Sequence, residues 1–273
     1  MSELSSAETT RPVLLVKPKR SFASARVIVA LMLREMATTY GRSPLGYLWA
    51  VLEPVAGIAV LTAIFTVFVR SPPLGTDFAI FYATGIVPFL LYSDISVKML
   101  QALMFSRQLL VYPSVTFVDA LLARFFLNIL TQILVAYIVF AGILLLFDTR
   151  TVLNLPAIGL SLAMAAALGF GVGTVNCFLA GIMPSYPRIW AIANRPMFLI
   201  SCVFFLLDTI PLPYRDWLWY NPLVHVVAEM RRGFYPFYEA SYVSVPYVFG
   251  VSLLLSVFGL VFLRRFSRYI LNN

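Results

Sequence analysis

Long apolar runs separated by short polar breaks dominate this chain, and they leave few folds open to it. Residues 48–69, 78–97, 119–147, 157–183 and 245–263 each hold about 20 or more residues almost free of charge, the length an α-helix needs to cross roughly 30 Å of hydrocarbon. Of the 273 residues 61% are hydrophobic and only 12% charged, against about 25% charged in soluble domains. The expectation is an all-α integral membrane protein. A further apolar core, 197–207, is short and crosses only if the residues before it extend it, which gives a span over 190–207 and six spans in all.

The breaks between the runs set the remaining organisation. Residues 1–23 are polar, with Pro12 and Pro18, and read as a tail. Residues 24–40 can form a helix with Val29, Met32, Leu33 and Met36 on one side and Arg34 and Thr38 on another, a pattern suited to lying in the membrane interface. Everything from 24 to 273 then reads as one transmembrane domain. Within 157–183, Gly169 and Gly173 sit at the G-x-x-x-G spacing that permits close helix approach. Cys177 and Cys202 both fall in apolar surroundings and suggest neither a disulfide framework nor a zinc site.

The net charge of +8 is distributed as membrane orientation requires rather than as a nucleic-acid surface. Arg11, Lys17, Lys19, Arg20, Arg26, Arg34 and Arg42 crowd the start and Arg264, Arg265 and Arg268 the end, while Lys98, Arg107, Arg124, Arg188 and Arg195 lie at loops on the same side. Only Arg70, Arg150, Arg215, Arg231 and Arg232 fall on the other side. The asymmetry predicts both termini in the cytoplasm. No small-residue cleavage site follows the short apolar run before Arg34-Glu35, so the N-terminus is expected to be retained.

Residues 208–239 fit neither a span nor an ordinary loop. Four prolines and several charges break them, yet Trp217, Trp219, Tyr220 and a set of aliphatic residues keep them apolar. Backbone of that kind at membrane depth is tolerated where it is buried in protein or lines a wet cavity. The topology places it outside, as a re-entrant helical pair between spans five and six. Its aromatics suit either an interface anchor or stacking on sugar rings.

Familiar chemistry is missing. Gly169-Phe-Gly-Val-Gly-Thr lacks the lysine of a phosphate-cradling G-x-x-x-x-G-K-[ST] loop and lies inside a span, so the chain is expected not to be an enzyme and not to hydrolyse ATP itself. The single histidine, His225, excludes multi-histidine metal sites. His225 and Glu229 share a helical face, where a structural hydrogen-bonded pair outweighs an acid–base pair. Glu53, Asp94, Asp119 and Arg124 lie near span ends and read as structural or subunit contacts.

The run Trp219-Tyr-Asn-Pro-Leu-Val-His-Val-Val-Ala-Glu229 resembles the inner-membrane permeases of type 2 ABC exporters, in particular the branch that exports capsular polysaccharide. There the Asn221–Val227 core is followed directly by an acid; here Ala228 precedes Glu229. Leu33-Arg34-Glu35 and Tyr40-Gly-Arg-Ser-Pro-Leu-Gly-Tyr-Leu-Trp-Ala-Val-Leu-Glu-Pro54 are similar to the family's helix before span one and its first stretch of that span, and Gly85-Ile-Val-Pro-Phe89 and Ser201-Cys202 match further family positions. The resemblance covers nearly the whole chain. It implies a homodimeric channel in the bacterial inner membrane, with two copies of a cytoplasmic ATPase subunit that hold ATP and Mg while this chain binds no cofactor. It also implies a lipid-linked polysaccharide as cargo, handed to a periplasmic co-polymerase or adaptor and an outer-membrane pore. O-antigen, teichoic acid or another lipid-linked or small cargo is the alternative.

Site residues follow from that implied architecture. Coupling to the ATPase is expected through 24–40, 98–116 and 184–195, with Glu35, Arg107, Tyr112 and Arg188. Substrate access is expected at Arg34, Arg42, Lys98, Tyr47 and Trp49, whose cations would suit an acidic polymer. The external gate is expected over 208–239, with Trp217, Trp219, Tyr220, Asn221, His225 and Glu229.

Overall fold

The computed structural model describes residues 23–39, 46–68, 71–108, 115–147, 149 and 151–272, and all its regular elements are helical. The tail before residue 23, the helix break at 41–44, Arg42, Arg70, Tyr112 and Arg150 lie outside the described residues, as does the side chain of Tyr47.

Ten helices follow in order: α1 Ala23–Thr39, α2 Gly46–Phe68, α3 Phe78–Leu100, α4 Ala102–Ser106, α5 Phe117–Leu146, α6 Leu155–Ile182, α7 Tyr186–Ile200, α8 Tyr214–Trp219, α9 Pro222–Phe234 and α10 Val245–Asn272, with a 3-10 turn at Leu207–Thr209. Five of them (α2, α3, α5, α6 and α10) are long and apolar enough to cross a membrane. Helix α7 is not among these. Its 15 residues reach about 22 Å, so the stretch expected over 190–207 is instead a shorter helix that starts four residues earlier and stops at Ile200. It stops because Cys202 takes φ 58°, a left-handed backbone that no helix continues through.

α3 is the central post. It is buried on nearly every side and packs against α6, α5, α2 and α9. In a bilayer, lipid is as apolar as leucine, so helices associate through close packing rather than through water release. The two glycines of the G-x-x-x-G spacing supply that closeness. A Cβ at Gly169 would stand 3.0 Å from the Ile95 Cβ, and one at Gly173 2.8 Å from the Met99 Cβ. On its other side α6 packs against α10, which is itself peripheral, as is α2. The start of α5 carries a capping box: Thr116 Oγ1 accepts from the Asp119 N–H, and Asp119 Oδ2 accepts from the Thr116 N–H at 2.9 Å. Asp119 is therefore a cap, in line with its structural reading.

Candidate functional site

Two polar clusters sit at opposite ends of this bundle. At one end α9 is enclosed by α3, α6 and the start of α10. Asn221 caps it, accepting from the Leu223 N–H at 3.1 Å, and Pro222 opens its first turn. All but two of its residues are buried, which is why the sequence tolerates so many apolar residues in so polar a stretch.

His225 is the centre of this end. Its Nδ1 accepts from the Ser244 N–H at 3.2 Å, so its Nε2 carries the proton and donates to the Trp219 carbonyl at 2.9 Å. Rings of Trp219, Tyr247 and Tyr242 surround it. Trp219 stacks on Tyr247 at 5.2 Å and donates from Nε1 to the Tyr242 carbonyl. Burial lowers the His225 pKa from its ordinary 6.5, against a smaller opposing pull from the Trp219 carbonyl. Glu229 does not pair with His225; its buried carboxylate receives Arg232 Nη1 at 2.7 Å. Trp217 and Tyr220 are exposed. The expected gate residues therefore separate into an internal set (Trp219, Asn221, His225, Glu229) and an outward pair.

At the other end a buried ion pair joins α1 to the bundle. Arg124 Nε on α5 stands 3.0 Å from Glu35 Oε1 on α1, and Arg124 Nη1 donates to the Lys98 carbonyl at the end of α3 at 2.6 Å. The same guanidinium lies 4.4 Å over the Phe105 ring of α4, with Arg34 on that ring at 5.8 Å. Burial pushes the Glu35 carboxyl above the usual carboxylate range, with Arg124 as the chief opposing influence. Four elements thus share one cation. Arg107 and Arg188 are exposed and take no part in it.

Beside the α1 junction, a 590 Å³ groove along α2 is lined by Trp49, Glu53, Asp94, Lys98 and Gln132. Asp94 stands 4.0 Å from Lys98 Nζ and accepts from Gln132 Nε2. Two of the expected access residues, Trp49 and Lys98, meet here, whereas Arg34 belongs to the α1 junction.

The chain matches a family model described as ABC-2 type transporter over residues 26–235. The chain belongs to that family. Among its relatives, the polysialic acid transport protein KpsM of Escherichia coli is 30% identical over 237 residues, 87% of this chain and 92% of that protein. The capsule polysaccharide export inner-membrane protein CtrC of Neisseria meningitidis serogroup B is 27% identical, covering 89% and 92%. BexB of Haemophilus influenzae, described in the same words, is 26% identical over 92% and 95%. The matched region runs from α1 into the residue after α9, and so holds the Glu35–Arg124 junction and His225 itself, while Tyr242, Ser244 and Tyr247 lie beyond it.

The partners of two buried arginines are not legible in the sequence. The sequence presents Arg124 as a structural or subunit-contact residue near a span end, and Arg231 as a charge on the outer side. The ion pair joins positions 35 and 124, and the acceptors of Arg231 lie 26 and 28 residues away. No local periodicity carries either contact.

Proposed function

We propose that this ABC-2 family member is the membrane permease of an ATP-driven exporter that moves lipid-linked capsular polysaccharide across the inner membrane. Similarity to capsule export permeases over nearly the full length of both chains carries this reading. Two copies form the channel, and two copies of a separate cytoplasmic ATPase subunit supply the energy. The α1 junction, the α3–α5 connection and the α6–α7 connection face that subunit, with both termini on its side. α7 makes a sixth crossing together with the reversal after it, and α8 and α9 are the re-entrant pair that closes the outer end.

The geometry supports a division of labour. The Glu35–Arg124 pin lets a push on α1 or α4 reach α3 and α5 together. The groove at Trp49, Glu53, Asp94, Lys98 and Gln132 offers an aromatic face, an amide and charges of both signs to a polar chain at membrane depth, where such groups otherwise signal a pathway. On the outer side the polymer passes to a periplasmic co-polymerase or adaptor and then to an outer-membrane pore.

Co-purification with a candidate cytoplasmic ATPase subunit tests the reading. The permease alone should hydrolyse no ATP, and the assembled complex should hydrolyse ATP and export capsule in cells lacking their own permease. Failure to bind any such subunit overturns it. Export of O-antigen or teichoic acid precursors, with capsule refused, would move the cargo to a different polymer.

A further inference from the structure

Two arginines end α9, and they behave oppositely. Arg232 is exposed and pairs with Glu229, as expected for a cation in a helix's last turn. Arg231 is 1% exposed and, among the described residues, meets no carboxylate. Its Nη1 donates to the Phe205 carbonyl at 3.0 Å and its Nη2 to the Val203 carbonyl at 2.9 Å, while the guanidinium lies 4.3 Å over the Phe81 ring. A buried charge persists only where fixed dipoles replace its water, and two carbonyls with an aromatic face form such a cradle.

Those two carbonyls belong to the reversal that follows α7. Its backbone cannot bond to itself in helical fashion, because Cys202 is left-handed at φ 58°. α9 and its cap supply partners instead: Asn221 Nδ2 donates to the Ile200 carbonyl at 3.1 Å, and Arg231 takes those of Val203 and Phe205. On the opposite side Val203 presses onto α3, where a Cβ at Gly85 would stand 3.1 Å from the Val203 Cα. The N-terminal end and the C-terminal end of α9 thus both grip one turn.

We propose that Arg231 is a positioning residue that fastens the reversal after α7 to the gate helix α9, so that α7 and the gate move as one unit. This rests on the gate assignment above. A movement of α7 then displaces the gate directly, with no hinge between them, and Arg231 matters to the seal although it contacts no cargo.

Cys202, buried inside the reversal, is a native reporter. In the wild-type complex with its ATPase subunit, a membrane-impermeant maleimide should label Cys202 slowly. In Arg231→Met the labelling should speed by roughly tenfold or more as the turn opens locally, while Cys177, buried in α6, stays protected. Loss of a nearby cation disfavours the thiolate, so faster labelling reports access rather than chemistry. Export should fall and resting leak rise with ATPase association kept, and Arg231→Lys, which keeps the charge but not the fork, should lie between. Cys202 as protected in Arg231→Met as in wild type, with export unchanged, overturns the inference. If Arg231→Met does not assemble, Phe81→Leu decides, since it removes only the ring: faster Cys202 labelling supports the cradle and unchanged labelling overturns it. A wild-type protein that neither binds an ATPase nor exports would instead sink the gate assignment itself.

Discussion

The one histidine of the chain is held in a single protonation state by two backbone groups. Ser244 donates to Nδ1 and the Trp219 carbonyl accepts from Nε2, an arrangement that only the neutral ring satisfies. Protonation would set Nδ1–H against the Ser244 N–H. Because the folded pKa is lowered by burial, the contribution of this site to stability is complete above the unfolded value of 6.5. It is lost as pH falls below that value, at about 1.4 kcal/mol for each unit of depression. The resting seal and the melting temperature of the complex should therefore fall between pH 7.5 and pH 5.5, to an extent that His225→Gln abolishes. Glutamine can accept from Ser244 and donate to Trp219 without titrating. A seal equally pH-sensitive in His225→Gln would assign the effect to another group.

Where helices meet, the contacts are of two kinds, and each answers differently to substitution. The α1 junction depends on charge. Removing one partner of a buried ion pair strands the other, at a cost of roughly 3–5 kcal/mol, so Arg124→Met should lower thermal stability steeply. Arg124→Met with Glu35→Met should recover part of it, because neither charge is then stranded. If the junction also transmits the ATPase stroke, the double variant should assemble and hydrolyse ATP yet export poorly; full export would reduce the pair to a scaffold. The α6 interface depends instead on the absence of side chains. A Cβ at Gly171 would stand 2.6 Å from the Ser252 carbonyl oxygen of α10, whereas one at Gly142 of α5 meets nothing within 4 Å. Gly171→Ala should lower the melting temperature of the purified protein, with overpacking costing roughly 1–3 kcal/mol. Gly142→Ala should be neutral or raise it slightly through helix propensity, by up to about 1 kcal/mol. Equal effects would show that the α6–α10 contact yields without strain.

Across the whole molecule, what could be read from the sequence is what depends on near neighbours along the chain. The five long apolar runs and the G-x-x-x-G contact of Gly169 and Gly173 are local patterns, and the structure contains them all. The end of α7 at Ile200 was not legible, because the apolar residues after it continue while a left-handed Cys202 and two α9 side chains reverse the chain. The depth of Arg231 was hidden for the same reason: an Arg-Arg pair at a helix end looks exposed until Phe81, Val203 and Phe205 close over one of the two. α7 carries the remaining question into assembly. None of its residues is buried, and its exposed residues include Arg195, whose guanidinium nitrogens all need acceptors. Lipid cannot satisfy such atoms, whereas the exposed surface of α10 at Leu253, Leu254, Val257, Phe258 and Val261 is apolar throughout and suits lipid. The proposed homodimer therefore places its second copy over α7 and leaves α10 to the bilayer. Ile192, exposed on α7, and Leu254, exposed on α10, provide matched positions at which to put asparagine. Ile192→Asn should shift the permease from dimer toward monomer by roughly tenfold in dissociation constant, about 1.4 kcal/mol, read by native mass spectrometry or single-molecule photobleaching. Leu254→Asn should leave the dimer intact. The reverse result would move the interface to α10, and a monomer in both cases and in the wild type would remove the homodimer from the proposed assembly.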